Sequence, residues 1–277
     1  MACLITRNGA LHYVVTPSRN AHDPDRIPLL LIPGLAATHG AFPEIVEDVS
    51  ATRTVISFDP HGAGLSRPRR RLFALRDIAA DAAALLDHLR IPHAHVLGIS
   101  MGGMIAQELA LGWPERVRSL HLACTTCGTP DGVAPPPPVV ARLLAGLART
   151  ARVRSPRDAD RLFRDVLFAP DTPEDIRLTF FANRQRAPMA SPAGLTAQLL
   201  AVRRFGSGPR LRSLHIPTQV LTGRDDALMP ARNSEVLAER IPRAELLLTR
   251  GGHAFFLEDR DTFTHALRSG MDLHDGR

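Results

Sequence analysis

A serine between two glycines is the residue of this chain whose setting best suits chemistry. Gly98-Ile99-Ser100-Met101-Gly102 has the form G-x-S-x-G, and it separates an apolar run from a segment with helical spacing. On a strand-to-helix turn, this pattern holds a serine clear of the backbone as a nucleophile. The amides that begin the following helix face any negative charge that develops on a substrate. The pattern therefore predicts nucleophilic catalysis by Ser100.

A serine hydroxyl needs a histidine to remove its proton and a carboxylate to orient that histidine. Asp226 follows one later strand pattern, and His253 follows the next. Because the carboxyl ends of parallel strands face one crevice, we expect both side chains to converge on Ser100. Asp225 is the alternative acid, since a shift of its loop by one residue would exchange the two roles.

The elements that must position these residues form an alternating pattern. Short apolar strands alternate with helical periodicity, which is typical of βαβ units and a mostly parallel sheet. Asn8-Gly9 predicts a hairpin turn between the first two strands. The predicted strands cover 3–6, 10–15, 29–32, 54–58, the run before Ser100, 120–124, 218–222 and 244–248.

The alternation of strand and helix patterns stops near Gly128 and resumes at Thr218. A proline-rich stretch, 131–138, predicts an extended linker. After it the chain has only helical patterns, at 139–148, 156–168 and 173–186 among others. We therefore expect an α/β core built from 1–128 and 213–277, interrupted by a helical cap at 129–212.

Composition excludes several kinds of chemistry. All 34 basic residues are arginine, so no lysine is present for a Schiff base or a Ser-Lys dyad. The three cysteines, an odd number, argue against a disulfide framework. Cys124 and Cys127 have C-x-x-C spacing without a second ligand pair, so we expect buried small residues there, and neither a metal nor a cofactor.

The chain shows no sign of a membrane or nucleic-acid partner. No run approaches the ~20 apolar residues of a membrane span, and the first residues lack the layout of a signal peptide. The net charge is +6, yet the one dense basic run, 67–71, has no aromatic residues for base stacking. We interpret that run as a solvated loop, with an acidic carrier protein as the alternative partner. These features predict a bacterial cytoplasmic protein.

Together these motifs resemble the α/β-hydrolase fold family. In that family the acid follows G-x-x-D-x-x-x-P, matched here by Gly223, Asp226 and Pro230, and the histidine follows a glycine, as in Gly252-His253. The resemblance covers 3–128 and 214–269. It implies the α/β class: an α/β-hydrolase fold with a mostly parallel central sheet, flanking helices and an inserted all-helical cap.

The resemblance also implies the oxyanion donors and a pocket. One backbone N–H is that of Met101, and the other is that of Leu35, in a turn where Pro33 replaces the family's usual histidine. His61 stands where an arginine is common, so it either braces its loop or contacts substrate. Four phenylalanines either line an apolar acyl pocket or pack within the cap: Phe163, Phe168, Phe180 and Phe181.

Serine at this turn implies acyl chemistry, because the family's dehalogenases and epoxide hydrolases use aspartate there. We expect a serine hydrolase that cleaves a small carboxylic ester or lactone through an acyl-enzyme. The alternatives are a type II thioesterase or biosynthetic tailoring hydrolase, acting on carrier-bound or activated C–C substrates, and a non-catalytic ligand receptor. The small-molecule substrate would carry an acyl group, and the oligomeric state stays open.

Overall fold

A single sheet of nine strands organises the computed structural model, which describes residues 2–20, 26–149, 153–185 and 190–276. Its spatial order is β1-β2-β4-β3-β6-β7-β8-β9, and β5 pairs with β2. The strands are β1 (Ala2–Ile5), β2 (Gly9–Thr16), β3 (Leu29–Ile32), β4 (Val55–Phe58), β5 (Arg67–Pro68), β6 (Ala94–Ile99), β7 (Val117–Ala123), β8 (Thr218–Gly223) and β9 (Ala244–Thr249).

The first part of the sheet is antiparallel and the rest is parallel. β1 and β2 form the predicted hairpin, with Leu4 opposite Leu11. β2 runs antiparallel to β4, whereas β4, β3, β6, β7, β8 and β9 are successive parallel neighbours. This confirms the predicted fold class. Parallel strands end at one edge, so the loops after β3, β6, β8 and β9 share that edge.

Helices cover both faces of the sheet. They are α1 (Pro43–Ser50), α2 (Leu75–His88), α3 (Met101–Gly112), α4 (Pro137–Arg149), α5 (Pro156–Leu167), α6 (Glu174–Gln185), α7 (Pro192–Arg203), α8 (Arg232–Arg240), α9 (Phe255–Glu258) and α10 (Arg260–Asp275). Alternation along β3 sends Leu30 and Ile32 to the core under α2 and α3, and Leu29 and Leu31 to the core under α1 and α10. A strand covered on both faces is apolar throughout, as β3 is.

The chain between β7 and β8 contains α4 to α7 and no strand within its described residues. We call this part the helical insertion. The prediction of an extended linker through 138 is wrong at its end, because α4 already begins at Pro137. Proline is favoured in the first turn of a helix, where its missing N–H has no intrahelical partner to lose.

Within the part of the chain that the structure describes, no helix is both long and apolar enough to span a bilayer.

Candidate active site

Ser100 occupies the sharp turn between β6 and α3. Its backbone has φ +57° and ψ −118°, which non-glycine residues rarely adopt and which stores strain at functional sites. The Ser100 N–H donates to the Ala123 carbonyl (2.9 Å), and the Thr125 hydroxyl donates to the Ser100 carbonyl (2.7 Å). These two bonds hold the turn in its strained conformation.

The glycines on either side of Ser100 are required by close packing. A Cβ atom on Gly98 would lie 2.4 Å from the Gly102 carbonyl oxygen. A Cβ atom on Gly102 would lie 2.0 Å from the Ile32 carbonyl oxygen. Only a residue without a side chain permits these approaches. They bring α3 against the end of β3, and so bring Ser100 beside the turn that follows that strand.

Asp226 and His253 form a buried pair after β8 and β9. His253 Nδ1 lies 2.8 Å from Asp226 Oδ2, while Asp226 Oδ1 accepts the N–H groups of Leu228 (2.9 Å) and Met229 (2.7 Å). The two side chains belong to residues that are 4% and 8% exposed. With Nδ1 engaged by the carboxylate, Nε2 is the ring nitrogen available to a second group.

Asp225, the alternative acid, is exposed to solvent. Its N–H donates to the Gly251 carbonyl (3.0 Å), which braces the loop. Only its neighbour Asp226 is directed at His253.

Ser100 and His253 line the same cavity. Among the hydrogen bonds of the described residues, none joins their two side chains. Contacts of this kind commonly tighten only when substrate binds. The arrangement therefore places a serine, a histidine and a carboxylate at the edge of the sheet where the parallel strands end.

The turn after β3 lies against Ser100. The Ala37 N–H donates to the Gly34 carbonyl (3.1 Å). A Cβ atom on Gly34 would lie 3.3 Å from Ser100 Cβ and 3.8 Å from Ser100 Oγ. The Leu35 N–H belongs to the same trans peptide as the Gly34 carbonyl and points the opposite way. This N–H is therefore not consumed by the bond that closes the turn.

Met101 is the first residue of α3, and its side chain is buried. The first N–H groups of a helix have no partner within that helix. The two sequence-predicted oxyanion donors, Leu35 and Met101, thus lie on the two chain segments that meet at Ser100.

A cavity opens beside Ser100 and His253. Most of its walls are apolar and come from both the core and the helical insertion. They include Phe42, Ile99, Leu143, Leu147, Val153, Phe163, Leu167, Phe180, Phe181, Leu228 and Phe256.

Two predicted pocket residues lie outside this cavity. Phe168 packs behind it, with its ring centroid 5.4 Å from that of Phe180 and 5.8 Å from that of Phe181. His61 is fully buried, with Nε2 2.5 Å from Asp81 Oδ2 and its ring against Phe73. His61 therefore braces its loop, because its ring is enclosed by residues of the core, whereas Phe163, Phe180 and Phe181 line the cavity.

Arg184 is a charged side chain in the wall of this apolar cavity. Its guanidinium lies over the Phe180 ring, with Cζ 5.3 Å from the ring centroid, and donates to the Leu35 carbonyl (3.0 Å). Burial lowers the pKa of Arg184 to about 10, because desolvation disfavours the charged form. The side chain still carries its charge at neutral pH.

Two groups of side chains have the residue types of metal ligands. Cys124 lies beside Asp226 and His253, and burial raises the pKa of its thiol, with Asp226 adding to the shift. A neutral thiol is a poor metal ligand. The other group is His12, His39 and Asp59, in which the Asp59 oxygens already accept from the Leu65 and His39 amides. Neither arrangement favours a metal site over a bracing role.

Four residues of the site were missed by sequence reasoning: Thr125, Arg184, Gln198 and Glu258. Glu258 accepts the Gly252 N–H (2.7 Å) beside His253, and it also accepts the Ala169 N–H (2.9 Å) of the helical insertion. Glu258 thereby fastens the histidine loop to the insertion. No local pattern marks these four residues, because each of them has a partner that is distant in the sequence.

Known proteins are similar to this chain over most of its length. A family model described as the alpha/beta hydrolase fold matches residues 27–260. A poly(3-hydroxyalkanoate) depolymerase of Ectopseudomonas oleovorans is 30% identical over 250 residues, covering 90% of this chain and 84% of that protein. A 3-oxoadipate enol-lactonase of Acinetobacter baylyi is 29% identical over 217 residues, covering 78% of each.

Solved structures show the same architecture. The crystal structure of the enol-lactonase from Burkholderia xenovorans superposes with a TM-score of 0.82 at 20% identity, covering 98% of this chain and 100% of that one. At this level of identity the likeness concerns the fold alone.

Proposed function

The chain belongs to the α/β-hydrolase fold family, and from that premise we propose that it is a serine hydrolase that cleaves carboxylic esters or lactones through a covalent acyl-enzyme. Ser100 is the nucleophile, His253 the general base and acid, and Asp226 the carboxylate that orients His253. The observation that carries the proposal is the 2.8 Å contact between His253 Nδ1 and Asp226 Oδ2 on the cavity that Ser100 lines.

In the first half of the reaction, Ser100 Oγ attacks the carbonyl carbon while His253 Nε2 takes the hydroxyl proton. The Asp226 carboxylate stabilises the imidazolium through Nδ1–H. The leaving alkoxide then takes the proton from Nε2, and the acyl group remains as an ester on Ser100. In a lactone, the leaving alkoxide stays attached to the acyl group.

In the second half, His253 deprotonates a water molecule that attacks the acyl-enzyme, and the carboxylic acid is released. Both tetrahedral intermediates carry a negative oxygen. We assign its stabilisation to the backbone N–H groups of Leu35 and Met101, helped by the positive end of α3. Main-chain donors in a dry site are effective because they need no reorganisation when charge develops.

The cavity supports an apolar acyl chain as the preferred group. Leu143, Phe163 and Phe181 present hydrocarbon surface beside Ser100, and apolar area removed from water contributes about 25 cal/mol per Å² to binding. The relatives named above include a depolymerase of a polyester and an enol-lactonase, which are enzymes of ester and lactone cleavage.

Residues 129–212 are, in this proposal, a cap on the core formed by 1–128 and 213–277. The support is that α4, α5 and α6 supply much of the cavity wall. Substrate choice would then depend on the cap, whereas the reacting groups belong to the core.

A fluorophosphonate probe and a graded substrate panel test the proposal. The probe should label the wild-type protein and Ser213→Ala, an exposed serine, but should not label Ser100→Ala. The panel consists of p-nitrophenyl esters, lactones and acyl thioesters of increasing chain length. Esters or lactones should be hydrolysed faster than thioesters, with loss of activity in Ser100→Ala.

Folded wild-type protein that the probe does not label would contradict the proposal and favour a ligand receptor. A marked preference for acyl thioesters would instead favour a thioesterase with the same reacting groups.

A further inference from the structure

The turn that carries Leu35 has an unusual central peptide. Gly34 to Ala37 form a four-residue turn, and its third residue, Ala36, has φ +56°. A positive φ at this position is the mark of a type II turn, in which the central peptide is rotated by about half a turn relative to type I. Glycine is preferred there, and alanine is strained. Something must therefore hold the Leu35–Ala36 peptide.

Two side chains of the helical insertion hold both ends of that peptide. Gln198 on α7 accepts the Ala36 N–H through Oε1 (2.9 Å). Arg184 on α6 donates to the Leu35 carbonyl through its guanidinium (3.0 Å). Rotation to the less strained type I arrangement would break both bonds and reverse the direction of the peptide dipole.

Gln198 is itself held in one orientation. It is fully buried, and its Nε2 donates to the His61 carbonyl (2.9 Å). With one end of the amide committed to a carbonyl and the other to an N–H, the side chain cannot flip without losing both bonds. His61 is in turn bound to Asp81.

The backbone beside Gln198 fits closely to the same loop. A Cβ atom on Gly194, one turn earlier in α7, would lie 2.0 Å from the Gly62 carbonyl oxygen. α7 thus lies against the loop after β4 while Gln198 reaches the turn after β3. The side chain links the two loops at the place where the turn meets Ser100.

We propose that Gln198 is a positioning residue for the oxyanion turn: by accepting the Ala36 N–H it holds the Leu35–Ala36 peptide, and with it the turn from Gly34 to Ala37 that carries the Leu35 N–H, in one conformation. This inference rests on the proposed function. A turn that shifts would carry the Leu35 N–H away from the position where negative charge develops on the substrate. The role is therefore exerted mainly on kcat, because a neutral substrate carbonyl gains less from this N–H than the developing oxyanion does.

Two variants separate the hydrogen bonds from the space that Gln198 fills. Gln198→Met keeps the volume and loses both bonds. Gln198→Glu keeps an acceptor for the Ala36 N–H and, when protonated, a donor for the His61 carbonyl. Thr196→Ala is the matched control, because Thr196 is exposed on the same helix and bonds only to Pro192 of that helix.

We expect kcat for a p-nitrophenyl ester to fall about tenfold to a hundredfold in Gln198→Met, with KM little changed. Gln198→Glu should retain more activity than Gln198→Met, and Thr196→Ala should match the wild-type protein. A residue that served only packing would give the reverse order, because methionine suits an apolar volume better than a carboxyl group does. That order, or a wild-type kcat in Gln198→Met, would overturn the inference.

A crystal structure of Gln198→Met tests the inference independently of catalysis. We expect Ala36 to leave its positive φ, and an unchanged turn contradicts the inference even if activity falls. If Ser100→Ala is as active as the wild-type protein, the proposed function fails, and the structure of Gln198→Met still decides whether this side chain holds the turn.

Discussion

His253 Nδ1 lies 2.8 Å from Asp226 Oδ2, although the two residues are 27 positions apart in the chain. The contact exists because β8 and β9 are parallel neighbours, with Gly223 opposite Thr249, so the loops after them begin at the same level of the sheet. The carboxylate is held from its other side by two backbone N–H groups. The orientation of the histidine ring is thus determined by the backbone of two loops.

Replacing Asp226 by asparagine should abolish most of the activity. The amide cannot stabilise an imidazolium and favours the wrong histidine tautomer, so we expect kcat to fall about 10³- to 10⁴-fold. Asp225→Asn is the matched control and should leave kcat unchanged, because Asp225 is exposed. Steady-state hydrolysis of a p-nitrophenyl ester measures both, and the opposite result would make Asp225 the functional acid.

Replacing each of two glycines of α3 by alanine should have opposite effects on the stability of the protein. In Gly102→Ala the new Cβ atom would lie 2.0 Å from the Ile32 carbonyl oxygen, so the fold must shift or lose stability. In Gly112→Ala the new Cβ atom meets nothing within 4 Å, and the higher helix propensity of alanine should stabilise the protein by about 0.5–1 kcal/mol. Thermal unfolding measures both changes, and equal melting temperatures would contradict the close approach at Gly102.

The preference for acyl-chain length should change when a larger side chain narrows the cavity. Leu143 on α4 lines the cavity, whereas its neighbour Leu144 is 53% exposed. Leu143→Trp should lower kcat/KM for long-chain p-nitrophenyl esters much more than for the acetyl ester, because the bulky ring occupies the space of the chain. Leu144→Trp should change neither value. A uniform loss across chain lengths in Leu143→Trp would indicate that the acyl chain lies elsewhere.

The protein should lose stability in mild acid, because two histidine side chains are buried within the sheet and are linked to each other by a serine hydroxyl. His95 contacts Ser119 (2.7 Å), and Ser119 contacts His121 (2.8 Å). Burial lowers the pKa of His95 from 6.5 to about 4 and the pKa of His121 from 6.5 to about 3. The unfolded chain therefore binds protons that the folded chain does not, so stability is complete above pH 6.5 and is lost as the pH falls towards 4.

Within that pH range, each of these histidines should lower the free energy of unfolding by about 1.4 kcal/mol for every unit by which the pH falls. Urea unfolding at neutral pH and in mild acid measures the slope. His121→Gln should reduce it, whereas the exposed His215→Gln should not. An unchanged slope in His121→Gln would contradict the assignment. Burial raises the pKa of Asp275, but hydrogen bonds and the charges of Arg53 and His95 together lower it below 3.8. Asp275 therefore adds a separate loss of stability only in stronger acid.

Strand and helix periodicity, which are local properties of the chain, predicted an α/β fold with a mostly parallel sheet, and the resemblance of the motifs implied the α/β-hydrolase fold. Both are confirmed. The order of Ser100, Asp226 and His253, which follow β6, β8 and β9, could also be read directly. Their catalytic roles stay predictions until the variants are measured. The start of α4 within the proline run was missed, since proline in the first turn of a helix looks like a linker in sequence.

The sequence by itself indicated the serine turn, the alternation of strands and helices and the residue types available for acyl chemistry, because residues a few positions apart mark each of them. Only the tertiary structure decided which side chains surround the reacting groups. Gln198 reaches Ala36 across 162 positions, and Arg184 reaches Leu35 across 149. Contacts over such distances depend on how the helical insertion packs on the sheet, and no local pattern encodes that packing. The packing of elements that are distant in the sequence also places His61 and Phe168 outside the cavity.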